Sequence, residues 1–182
     1  MKQAPMALLP PGPAAPPALR WLGLATDIAI VLLGSALVVV VFCNVLLHAF
    51  DLDIAWTTEF GELVTVWTTF LGTAAAVRRN AHMAVTELVD LVPERLPRLL
   101  VDGLIQTTVA AVLLLLVWKG GIAAQAGWGS VLTVLDWPMA VQYLSLPVGA
   151  AIAFVFVAWD LMQIIRGIPR AQRYAPVDGA TA

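Results

Sequence analysis

Apolar residues fall into four long runs separated by short polar stretches. Residues 28–47 carry no charge, and the run extends back to Trp21. A second run covers 56–77, a third 99–124 and a fourth 138–165. A bilayer span needs about 20 predominantly apolar residues, so each run is long enough to cross as a helix. The pattern predicts an all-α integral membrane protein with four transmembrane helices, and Pro147 is expected to kink the fourth. Residues 80–98 differ: Val85, Leu88, Val89 and Val92 recur at helical spacing, while Thr86, Glu87, Asp90 and Glu94 take the other side. That stretch is too short and too charged to span, and reads as an interfacial amphipathic helix between spans two and three, stopped by Pro93.

The ends of the chain lie outside this pattern. Pro5, Pro10, Pro11, Pro13, Pro16 and Pro17 make residues 1–20 an extended or disordered tail without the continuous apolar core of a cleaved signal. The first span is therefore expected to act as an uncleaved insertion signal. Residues 167–182 form a second polar tail. Of the ten Lys and Arg, only Lys119 belongs to the half holding the first and third connections; Lys2, Arg20, Arg78, Arg79, Arg95, Arg98, Arg166, Arg170 and Arg173 share the other. Basic residues favour the cytoplasmic side, so both termini and the amphipathic helix are expected there. Trp128 and Trp137 of the third connection read as an interfacial belt.

Composition agrees with this class. The chain is 60% hydrophobic and 12% charged, about half the charge share of soluble domains. Its formal net charge of −2 comes with no basic stripe, which excludes nucleic-acid binding. One cysteine, Cys43, allows neither an internal disulfide nor a thiolate metal site. No phosphate-binding glycine pattern and no nucleophile–base arrangement is present, so no catalysis, cofactor or metal is expected. Gly120 and Gly121 suggest a loosened helix end.

The second run, WTTEFGELVTVWTTFLGTAAAVRR, is the most informative stretch. At 100° per residue, Thr58, Glu62, Thr65, Thr69, Gly72, Thr73 and Ala76 share one small, polar side. Trp56, Phe60, Leu63, Trp67, Phe70 and Ala74 share the bulky opposite side, with Glu59 on the border. Small and hydroxylated residues in lipid mark close helix approach, so this segment is expected to touch protein. Glu59 and Glu62 sit about 5 to 9 Å along the helix from Trp56, near one boundary of the bilayer. They could serve ion coupling, bond to a partner chain, or face interfacial water. Their shallow depth argues against a proton relay, which must bridge the midplane. Asp27 can meet headgroups or a neighbouring helix, and with Asp102 and Asp160 it is read as solvated at the cytoplasmic boundary. His48 and His82 lie near opposite ends of their spans, too far apart to share a haem iron.

The order Trp56, Glu59, Trp67, Phe70-Leu71-Gly72, Ala74, Arg78-Arg79, His82, followed by Pro138 and the Leu146-Pro147-Val148-Gly149 run, resembles the small membrane subunit of tripartite ATP-independent periplasmic (TRAP) transporters, the DctQ/SiaQ type. The resemblance covers residues 20–168; the Pro-rich start lies outside it. It implies a subunit of the bacterial inner membrane without catalysis of its own. Its partners would be a large membrane subunit and a periplasmic solute-binding protein, in sodium-coupled uptake of an organic acid. Trp56, Glu59, Glu62, Trp67, Gly72, Arg79 and His82 are then the candidate residues for contact with the large subunit or for ordering the bundle that meets it. The rival readings are a membrane anchor for a redox enzyme and a small stand-alone proton-coupled transporter.

Overall fold

A computed structural model describes residues 15–52, 54–79 and 95–168. The expected amphipathic helix, the Pro-rich start, most of the polar C-terminal tail and His82 lie outside the described residues. All the regular elements described are helical, and four stretches are long and apolar enough to cross a membrane.

Helix α1 covers Pro17–His48. Pro17 suits its first turn, because the N–H that proline lacks would have no helical partner there. The helix closes with Leu52 N–H donating to Leu47 O (3.1 Å) and Asp51 N–H to His48 O (3.1 Å). Asp51 adopts φ 58°, the left-handed position usually given to glycine and tolerated by Asp. Helix α2 covers Trp56–Arg78, and its entry is tied to α1 by Ile54 N–H donating to Asn44 Oδ1 (3.4 Å). Helix α3 runs Arg95–Ala126. It continues unbroken through Gly120 and Gly121, so the expected loosened end is corrected. Gly120 serves packing instead: a Cβ there would stand 2.9 Å from Pro147 Cδ.

The fourth apolar run is divided. Helix α4 is the short Ala140–Tyr143 turn and α5 is Ser145–Ile165, with the break at Leu144. Pro147 has no N–H to offer the carbonyl of Tyr143 four residues back, and its ring crowds that carbonyl. The interruption falls one turn before the proline, where Leu144 keeps helical dihedrals (φ −62°, ψ −22°). Gly167, at φ 72°, closes α5, with Ile168 N–H donating to Gln163 O (3.2 Å).

The spans pack in the order α1, α2, α5, α3. Ala74 of α2, Ala110 and Leu113 of α3, and Ala150, Ala153 and Val157 of α5 form the central core. These small side chains let backbones approach, which in lipid supplies packing energy that apolar burial alone does not. Gly149 marks the closest approach: a Cβ there would lie 2.8 Å from the Phe70 carbonyl oxygen. Burial falls outward along the row, from 39% of the most apolar window of Ala140–Ile165 to none of that window in α1, where Gly23 and Thr26 are the buried residues. Helix α1 is therefore a flank attached to α2, and its apolar side chains, such as Val31, Val38 and Phe42, are exposed.

Candidate partner interface

Helix α2 divides as its periodicity predicts. Leu63, Val64, Leu71, Ala74 and Ala75 are buried within the chain, whereas Thr58, Glu62, Thr65, Thr69 and Thr73 are exposed. The Thr69 and Thr73 hydroxyls donate to the carbonyls of Thr65 (2.8 Å) and Thr69 (2.9 Å), four residues back. They need no outside acceptor. A Cβ added at Gly72 would meet nothing within 4 Å, so a neighbouring backbone could come close at that level. Glu62 has no hydrogen-bond or ionic partner among the described residues. It lines an open groove of about 520 Å³ with Leu37 and Val41 of α1, Gly61, Thr65 and Val66 of α2, and Gln142 of α4.

Glu59, three residues away, is engaged. Its carboxylate accepts from Val134 N–H (3.0 Å to Oε2, 3.1 Å to Oε1) and Leu135 N–H (2.9 Å). Those amides sit at the tip of the third connection. There a Gly127–Gly129 turn is followed by an antiparallel bridge between Val131 and Pro138, with Leu132 N–H donating to Trp137 O (2.8 Å). Asp136 takes φ 53° at that tip. A carboxylate is suited to the place because it only accepts, and the turn aims two amides at one spot. Trp67 also works inward: its indole N–H donates to Val141 O (3.0 Å), fixing α4 on α2. Trp56 packs edge-on against Phe60, ring centroids 5.7 Å apart.

The opposite end of the row carries the basic residues. Arg78 and Asp27 form an ion pair between α2 and α1, and Arg79 reaches the other oxygen of Asp27 at 3.2 Å. The Arg78 guanidinium lies over Gly23, where a Cβ would clash with it. Between α3 and α5, Gln106 donates to Asp160 (2.8 Å), and Asp102 is 3% exposed. The solvated reading of Asp27, Asp102 and Asp160 is therefore corrected: the first is paired across helices, the second is buried and the third is hydrogen-bonded. Periodicity could not show the Asp27 and Asp160 contacts, because their partners Arg78 and Gln106 come from helices more than 50 positions away.

Of the candidate residues, the structure gathers Trp56, Glu59 and Glu62 in the first two turns of α2 at the loop end, places Trp67 midway, Gly72 beyond it and Arg79 at the basic end. Val134, Leu135 and Val141 are the functional neighbours that sequence reasoning missed; their backbone groups carry no side-chain signal. No group of three or more His, Cys, Asp or Glu among the described residues is placed to hold a metal ion.

Comparison with known proteins gives a family match. The family model described as the DctQ component of tripartite ATP-independent periplasmic transporters matches residues 37–167. A C4-dicarboxylate TRAP transporter small permease protein from Vibrio cholerae is 25% identical over 155 residues, spanning 70% of this chain and 67% of that protein. A putative TRAP transporter small permease protein from Haemophilus influenzae is 31% identical over 75 residues, 41% of this chain and 47% of that protein.

Proposed function

The chain belongs to the DctQ family of TRAP transporters, as a multi-pass small permease subunit, and from that premise we propose that it braces the large membrane subunit during uptake of an organic acid. In this reading a tripartite, ATP-independent system draws on a sodium gradient and receives solute from a periplasmic binding protein. The subunit sits in the bacterial inner membrane with both termini cytoplasmic. The substrate class rests on the C4-dicarboxylate named for the Vibrio relative.

The observation that carries the bracing role is the exposed polar stripe of α2. In a lone chain Glu62, shallow in the bilayer, would depend on interfacial water alone for solvation, which is costly unless another protein covers it. The middle of every span is uncharged, at 28–47, 63–77, 103–118 and 137–159. A pathway built on carboxylates would need them there, and a static scaffold does not. Glu62 and Gly72 would meet the large subunit directly. Trp56, Glu59, Trp67 and Arg79 would hold that surface in shape from within the chain, and His82 would fix its basic end.

The test is co-expression of the tagged chain with the large membrane subunit. Co-elution at fixed stoichiometry, and solute uptake by proteoliposomes that needs both chains, is the expected result. Transport by this chain alone, or a haem band in its spectrum, would overturn the reading.

A further inference from the structure

Glu62 stands on α2 about 9 Å from the start of the helix at Trp56, at 1.5 Å per residue. Its carboxylate is exposed and has no partner among the described residues, although Thr65 and Gln142 line the same groove. Leu37 and Val41 of α1 form its apolar wall. A second apolar groove, lined by Leu37, Val38, Val41, Phe42 and Val45, continues from that wall.

The direction of that continuation decides what fits. Leu37 Cδ1 lies 3.8 Å from the Cβ position of Gly61, so Leu37 is level with the carboxylate. From Leu37, α1 proceeds through Phe42 and Val45 to His48 at the loop end. The apolar groove therefore lies between Glu62 and the nearer membrane surface. A phospholipid has the opposite order, with its charged headgroup at the surface and its chains toward the midplane. A transmembrane helix fits, because it can lay aliphatic side chains along Val38, Phe42 and Val45 and bring one polar group inward.

Once a helix covers the open groove and excludes water, a carboxylate there is stabilised most by a counter-charge that also donates hydrogen bonds. We infer that the groove between α1 and α2 receives a helix of the large membrane subunit that sets a lysine or arginine side chain against Glu62. This rests on the proposed function above and names the chemistry by which the two subunits recognise each other.

The experiment places a photo-crosslinking residue at Thr65, with Val39 on another side of α1 as control, in the chain co-expressed with the large subunit. Mass spectrometry is expected to find Thr65 joined to a membrane-embedded peptide of the large subunit with Lys or Arg within one helical turn of the link. Glu62→Lys is expected to cut recovery of the large subunit about tenfold or more. Glu62→Gln, which keeps the shape, is expected to cut it about threefold, and reversing the partner's basic residue to Glu should restore recovery with Glu62→Lys. Cross-links to lipid, to a second copy of this chain, or to a peptide lacking a basic residue would overturn the inference, as would failure of the reversal. If the large subunit still co-elutes with the unaltered chain in those cases, the bracing role stands without this contact. Absence of co-elution with the unaltered chain would overturn both.

Discussion

Asp27 and Arg78, 51 positions apart, form an ion pair that fastens the basic end of α1 to α2. Both side chains are a little over one quarter exposed, 29% and 28%, so the pair is neither dry nor fully screened. Gly23 leaves room for it, because a side chain there would meet the guanidinium, the movable end of Arg78. Since α1 packs mainly on α2, this pair and the Asn44–Ile54 contact brace its two ends.

Breaking the pair should loosen α1 more than the neighbouring Arg79 contact does. Asp27→Ala leaves a partly buried guanidinium without its acceptor, and is expected to cost about 1–3 kcal/mol, between the surface and buried regimes. Arg79→Ala, whose side chain is 66% exposed, should cost under about 1 kcal/mol. Unfolding in detergent, run as a double-mutant cycle of Asp27→Ala and Arg78→Ala, measures the coupling. Additive effects would show that the pair contributes nothing.

Two glycines should respond in opposite ways. At Gly149 a methyl group would meet the Phe70 backbone at under 3 Å, and backbone cannot swing aside. Gly149→Ala is therefore expected to separate α2 from α5 and cost about 1–3 kcal/mol. At Gly72 the space is open, so Gly72→Ala should leave the purified chain as stable or slightly more so, while a bulkier Gly72→Leu lowers recovery of the large subunit. Equal melting behaviour of the two alanine variants would contradict the packing described.

Much of this fold is written in run lengths. Residues 28–47 must form a helix in lipid because no other backbone arrangement of an open segment satisfies its own polar groups there. The two sides of α2 follow from its periodicity, but which side the chain buries does not: Leu63 and Ala74 are buried and Thr65 is exposed. The neighbour order is not legible in that way. It depends on which small residues face which, and Gly149 finds Phe70 rather than any local partner. Charged residues stay ambiguous for the same reason: Asp27 could meet headgroups or a neighbouring helix, and only the packing of α2 brings Arg78 beside it. Glu59 is the sharpest case, because its donors are main-chain amides 75 and 76 positions away.

Trp67 provides a probe of the α2–α4 contact. Trp67→Phe keeps most of the apolar area but deletes the indole donor to Val141 O, and should cost about 1 kcal/mol. The shift of the unfolding midpoint in detergent reports it. A larger loss in Trp67→Ala than in Trp67→Phe is expected, because the cavity adds to the lost hydrogen bond. If Phe and Ala cost the same, the ring would not be packing on α4.

Glu59 acts as a clamp on the third connection, and its removal should be felt there before it is felt in the helices. Two amides converge on one carboxylate, so Glu59→Ala frees both at once, while Glu59→Gln retains an oxygen that can still accept. The site is partly open to water, which will solvate the freed amides, so the global cost should stay near 1 kcal/mol. Local opening is a better measure, since a loop can unfold without the spans. Hydrogen exchange at Val134 and Leu135 is expected to quicken about tenfold in Glu59→Ala, the equivalent of about 1.4 kcal/mol, and less in Glu59→Gln. Proteolysis between 130 and 138 should rise in the same order. The Leu132–Trp137 hydrogen bond lies beyond the clamp and is made by the turn itself, so its protection should fall less than that of the tip. Unchanged exchange at Val134 in the alanine variant would mean that the hairpin holds its own shape and that Glu59 only rests against it.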